Sequence, residues 1–215
     1  ADGGGVYLMT ISLKNVYAPK YQPNVSRVVL QKSGDGKEVE EIDFGMDEKG
    51  LLEPESAEGG VRYLVRMQLK PGKYRLLGAR GLSRGFLING SFFAPMHLDI
   101  EAAADGIHYL GDVAGVNRER VGEEFRSGPV IPLMDQAVTG YAHGSFDITV
   151  SDRYDQDVKL FRERFPKLDG QDITRQALPY SWFLSSFYCY FLVDVKNSFG
   201  CRQLGLVDCY CNLVN

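Results

Sequence analysis

His97, Asp99, His108 and Asp112 are the residue types from which a transition-metal site is built, and they fall in two neighbouring strand-like runs, residues 96–101 and 107–112. Ala104-Asp105-Gly106 between the runs is turn chemistry, so they read as an antiparallel hairpin. Pairing Glu101 with His108 sets Leu98, Ile100, Ile107 and Tyr109 on one face and His97, Asp99, Glu101, His108 and Asp112 on the other. Cross-strand neighbours lie about 5 Å apart, close enough to share a metal ion, which would make the His97/His108 face that of a metal-dependent hydrolase. Strand residues facing solvent are ordinarily polar, however, and a solvated face accounts for these residues without a metal or other cofactor.

The other chemical candidates are weaker. Asp152, Asp155 and Asp157 cluster as in a calcium loop, but the glycine and terminal bidentate Glu of such a loop are missing, and helix capping and the helix dipole account for them. Ser83, in Gly81-Leu82-Ser83-Arg84-Gly85, is followed by no helix, as a nucleophile elbow requires. His143 lies in a glycine-rich turn with no Asp placed beside it, so no triad can be argued. Gly78-Ala79-Arg80-Gly81 follows a strand but opens no helix, which excludes a nucleotide-type glycine loop. The expectation is a protein without a catalytic site.

All four cysteines, Cys189, Cys201, Cys209 and Cys211, lie near the C-terminal end. An even count permits disulfides in three connectivities in an oxidising compartment, and Cys209-Tyr210-Cys211 is too tight to close on itself, so each needs a partner upstream. Their spacing is not that of a zinc site.

A chain of 215 residues can bury a sizeable core within one main domain. Against 28 Asp+Glu stand 24 Lys+Arg, a net charge of -4, and neither sign gathers into a block, which argues against nucleic acid and anionic lipid as partners. Apolar and polar residues alternate over residues 6–13, 25–31, 37–44, 61–67, 75–79 and 146–150, the mark of half-buried strands. Gly85-Phe86-Leu87-Ile88 also reads as strand, residues 113–128 as a polar excursion, and Pro129-Val130-Ile131-Pro132-Leu133 as at best an edge strand. Ser33-Gly34-Asp35-Gly36 is a hairpin turn, and residues 45–60 form an acidic loop. One helix is expected near 152–165: Ser151-Asp152 offers caps, Lys159, Arg162 and Arg164 lie toward its end, Pro166 stops it, and Val158, Phe161 and Phe165 form its apolar face.

Leu69-Lys70-Pro71-Gly72-Lys73-Tyr74 marks a corner between two strands. Pro71 presets the turn, Gly72 takes the positive φ, and Tyr74 stands where sandwich domains place a tyrosine that hydrogen-bonds back across the corner. The domain therefore spans 1–179, and 180–215 is an aromatic, Cys-containing extension. That extension reads as a buried strand pair, as incidental sequence, or as a partner-binding hydrophobe; it is too short and too hydroxylated for a membrane span.

The corner motif, Gly106-Ile107-His108-Tyr109-Leu110-Gly111-Asp112 and the exit Val150-Ser151-Asp152 into a helix ending Arg164-Phe165-Pro166 together resemble exported bacterial β-sandwich proteins of the transthyretin-like, carboxypeptidase-regulatory-like kind, including lipoproteins of unknown function. The resemblance covers mainly residues 60–170. It implies a mainly β, Ig-like or transthyretin-like antiparallel sandwich with one C-terminal helix, acting without catalysis as a structural or protein-binding module of the cell envelope. The partner would be another envelope protein, met at a sheet edge or the aromatic tail, and a lipidated Cys before Ala1 would provide a membrane tether. The alternative is a carbohydrate-binding sandwich that stacks Tyr17, Tyr21, Phe92 and Phe93 on sugar rings.

Overall fold

The computed structural model describes residues 3–32, 40–52, 60–130, 136–179 and 182–183. In chain order the elements are β1 (Gly5–Asn15), β2 (Asn24–Lys32), β3 (Glu40–Gly45), a 3-10 turn at Glu48–Gly50, β4 (Leu51–Leu52), β5 (Val61–Leu69), β6 (Gly72–Arg84), β7 (Asn89–Ala102), β8 (Ile107–Glu119), β9 (Gly144–Ser151), α1 (Tyr154–Arg164), a 3-10 turn at Pro166–Leu168, β10 (Ile173–Arg175) and β11 (Trp182–Phe183). They form two sheets. The first has the order β11-β9-β8-β1-β5-β4, with β10 also paired to β8, and the second the order β3-β2-β6-β7. The protein is mainly β, with two sheets and, among the described residues, a single helix.

Apolar residues at alternate positions explain the main core. Tyr7, Met9, Ile11 and Leu13 of β1 point to the second sheet and meet Leu76 of β6 and Met96, Leu98 and Ile100 of β7. The opposite face of the first sheet is covered too: Val158, Phe161 and Phe165 of α1 pack on Leu8, Leu64 and Tyr109. With both faces occupied, every residue from Tyr7 to Ile11 is buried, including Thr10. The expectation of a half-buried β1 therefore fails in its middle, because the helix sits over the strand that the alternation had marked as half exposed.

The corner forms as its residues require. Gly72 adopts φ 147°, and the Tyr74 hydroxyl donates to the Lys70 carbonyl at 2.9 Å. This turn carries the chain from β5 in the first sheet to β6 in the second.

Four expectations need correction. The runs 96–101 and 107–112 do not pair: β7 pairs with β6 and β8 with β1, so residues 103–106 cross between sheets rather than closing a hairpin. Residues 113–119 belong to β8, where β1 and β9 supply ladder partners that the local polarity did not reveal. The Gly85-Phe86-Leu87-Ile88 run is the tip of the β6–β7 hairpin, not a strand. Finally, the sandwich is not wholly antiparallel, since β1 and β10 both run parallel to β8. The turn at 33–36 and all four cysteines lie outside the described residues; of the extension, Trp182–Phe183 pair with Thr149 and Ile148 of β9.

Replacing Tyr74 by Phe removes the corner hydrogen bond and little else, so equilibrium denaturation of Y74F is expected to show a loss of about 1 kcal/mol with an unchanged denaturant slope.

Candidate functional site

The four sequence candidates for a metal face are scattered. His97 and Asp99 lie on β7 of the second sheet, where Asp99 pairs with Arg75 at 2.7 Å. His108 and Asp112 lie on β8 of the first sheet, and the His108 ring stacks on Tyr7 with centroids 4.9 Å apart. Among the described residues no three His, Cys, Asp or Glu side chains converge as metal ligands. Ser83, spaced as in G-x-S-x-G, lies inside the run of β6, fully buried, with its hydroxyl at 2.7 Å from that of Tyr141 and donating to the carbonyls of Tyr21 and Gln22.

A different cluster does form beneath the helix. The Asp157 carboxylate, 0% exposed, accepts hydrogen bonds from Thr10 at 2.9 Å, from the Tyr109 hydroxyl at 2.6 Å and from Arg62 at 2.7 Å. Asp112 stands beside it, 3.7 Å from Arg62 and 3.8 Å from Arg153. Tyr109 and Asp112 are three positions apart and would point to opposite faces of a regular strand. A bulge realigns them: the β1–β8 register shifts at Leu8/Met9, where Leu110 is the extra residue, and Gly111 takes φ 122°.

Electrostatics distinguish the two carboxyls. Burial, reinforced by the Asp157 charge, raises the Asp112 carboxyl above its ordinary range despite Arg62 and Arg153 nearby. Burial and the hydrogen bond to Asp157 also raise the Tyr109 phenol. A raised carboxyl next to a charged one is an arrangement suited to proton transfer. Here it is roofed by α1, and neither of two surface depressions, one at Gly3, Gly4, Gln68 and Lys70 and one along the outer side of α1, is lined by any member of the cluster. The arrangement fastens the helix to the sheet.

The chain presents its exposed apolar groups elsewhere, at the end where β1 and β8 finish. Two facing amides knit that end. Asn15 donates to the carbonyls of Tyr21 and Thr139, at 2.9 and 3.0 Å, and accepts from Asn117 at 2.9 Å. The Tyr141 phenol, pushed up to about 12 by burial, is held there by Ser83. From this platform the β6–β7 hairpin projects. Gly85 N–H donates to the Ile88 carbonyl at 2.7 Å, which leaves Phe86 and Leu87 as a two-residue loop, 90% and 82% exposed, with Leu87 at φ 62°. Such loops ordinarily carry Asn, Asp or Gly, and a branched apolar residue in the left-handed region is strained.

Sequence reading missed both features. Asp157 was assigned to the helix dipole, yet with Phe161 and Phe165 it recurs every fourth residue on the apolar stripe, which was the available sign of burial. For the tip, the sign was a short apolar run bracketed by Gly85 and Asn89-Gly90. No protein-family model, curated protein or solved structure matches the chain. No helix among the described residues is long and apolar enough to cross a membrane.

Two isosteric changes separate the carboxyls. D157N leaves Arg62 without its closest charge partner, and chemical denaturation is expected to show a loss of roughly 3 kcal/mol. Asp112, whose pKa is raised in the folded state, binds its proton more tightly folded than unfolded; its charged form therefore costs stability at neutral pH, and that cost disappears as pH falls through the folded pKa. Melting curves across pH are expected to show D112N at least as stable as the parent at neutral pH, with the two converging toward about pH 4.

Proposed function

We propose that this protein is a non-enzymatic binding module of Ig-like or transthyretin-like type, working in the bacterial cell envelope, and that it makes contact through the loop end around Phe86 and Leu87. The observation that carries the reading is the hairpin tip: its two residues are the most exposed large hydrophobic side chains among the described residues, and one of them is held at φ 62° on a hydrogen-bonded base. Strained, exposed apolar residues at a site where Asn-Gly would cost less point to a surface kept for contact. The envelope setting rests on the resemblance alone, as does a lipid tether ahead of Ala1.

Two other contact surfaces are less favoured. The β7 edge is interrupted by Pro95 and by His97 at φ 48°, and the β3 edge carries Glu40, Glu41 and Asp43, the devices that discourage strand addition. Sugar stacking on Tyr17, Tyr21, Phe92 and Phe93 has little to recommend it, because Tyr21 and Phe92 are buried and the Phe93 ring lies between Phe125 and Arg80.

A photoreactive phenylalanine analogue placed at Phe86 in native cells tests the assignment, with Lys73, exposed at the start of β6, as control. Discrete adducts from position 86 and none from 73 are expected; equal labelling from both positions, or none from 86, would remove the loop end as the contact surface.

A further inference from the structure

The occupant of this surface can be read from what surrounds the tip. The Tyr21 ring packs against Gly85, and Lys20 lies 5.8 Å from the centre of that ring. Arg84 is the last residue of β6 before the tip, is exposed, and makes no ion pair among the described residues. Thr139 abuts Gly90 on the other side, which brings the exposed Val138 close, and Tyr17 packs on Gly140. The three segments nearest the tip, residues 16–24, 83–92 and 136–143, contain Lys20 and Arg84 but no Asp or Glu; the loop after β8, which packs beside them through Gly128 on Tyr141 and Arg120 on His143, adds acids and bases in equal number over residues 118–130.

We infer that the loop end is a peripheral docking surface for an anionic lipid bilayer, with Phe86 and Leu87 entering the acyl region and Lys20 and Arg84 pairing with headgroup phosphates. This rests on the reading of the loop end as the contact surface and supplies its partner. Phe86 and Leu87 protrude from one hairpin loop, and the exposed Val138 and Tyr17 stand on two others. A bilayer accepts separated protrusions without matching their shape, whereas a protein partner would need a pocket for each. An exposed apolar tip flanked by Lys20 and Arg84, with the amphipathic Tyr17 on a neighbouring loop, is the composition of a bilayer-interface contact. The sequence argued against anionic lipid because no cationic run exists; Lys20 and Arg84 meet only through the β2–β6 pairing, in which Asn24 lies opposite Leu82.

Sedimentation of the full chain with phosphatidylcholine vesicles, with and without phosphatidylglycerol, tests the proposal. The parent protein is expected to partition onto the anionic vesicles and to be released by salt. F86S/L87G should bind roughly a hundredfold more weakly, and K20Q/R84Q about thirtyfold more weakly on anionic vesicles only. F86S/L87G should melt no lower than the parent, because the two side chains have little packing to lose and glycine relieves Leu87. If it nonetheless fails to fold, a blue shift of F86W fluorescence on anionic vesicles carries the test, and its absence overturns the proposal. Undiminished binding of a folded F86S/L87G, or no vesicle binding by the parent, also overturns it. In that event a protein adduct from position 86 in cells would leave the loop end as the contact surface with a protein partner, whereas the absence of any adduct would remove both readings.

Discussion

Thr10 sits at the middle of β1, covered by the second sheet on one side and by α1 on the other, and a hydroxyl buried there must find a hydrogen-bond partner within the protein. The Asp157 carboxylate supplies it, and a carboxylate with no exposure in turn demands a cation and further donors, which Arg62 and Tyr109 provide. That chain of requirements dictates much else. Arg62 must come from β5 next to β1, Tyr109 from β8 on its other side, and β8 must be bulged at Leu110-Gly111 so that Tyr109 and Asp112 share the helix-facing side. The helix is thus seated by polar geometry as well as by Val158, Phe161 and Phe165. Apolar contacts alone would tolerate sliding of the helix along the sheet, whereas a carboxylate held by three donors from three strands fixes one position.

The loop end is built on the same logic with neutral groups. Asn15, held by a hydrogen bond from Asn117 opposite it on the parallel pair β1 and β8, satisfies carbonyls of two loops and so turns irregular backbone into a fixed base. Arg118, held by Glu124 and Asp147 at 2.6 and 2.8 Å, ties the following loop to β9 in the same way. A hairpin tip that carries a leucine at positive φ persists only when such a base over-determines the backbone beneath it.

Period-two alternation made most of the strands legible, because burying one face of a sheet is a local requirement written in successive residues. The Pro71-Gly72 corner with Tyr74 was legible for the same reason, as its hydrogen bond spans only four residues, and so was α1, whose apolar stripe and Pro166 stop are contiguous, although its N-cap position falls on Arg153 and not on Ser151 or Asp152. What could not be read was pairing. Residues 96–112 carry a good hairpin signal, yet each of the two strands finds a better-matched neighbour elsewhere, β6 in one sheet and β1 in the other, and a turn motif cannot report that competition.

The sequence by itself determined most of the strands, the one helix with its apolar stripe, and the Pro71-Gly72 corner, since these depend on neighbours within a few positions. Only the tertiary structure decided the partners: that His97 and His108 belong to different sheets, that Asp157 meets Thr10 across 147 positions, and that Lys20 and Arg84 flank one apolar tip. Strand order is set by the packing of the whole core, and Coulomb and hydrogen-bond energies depend on distance in space, which separation along the chain does not specify.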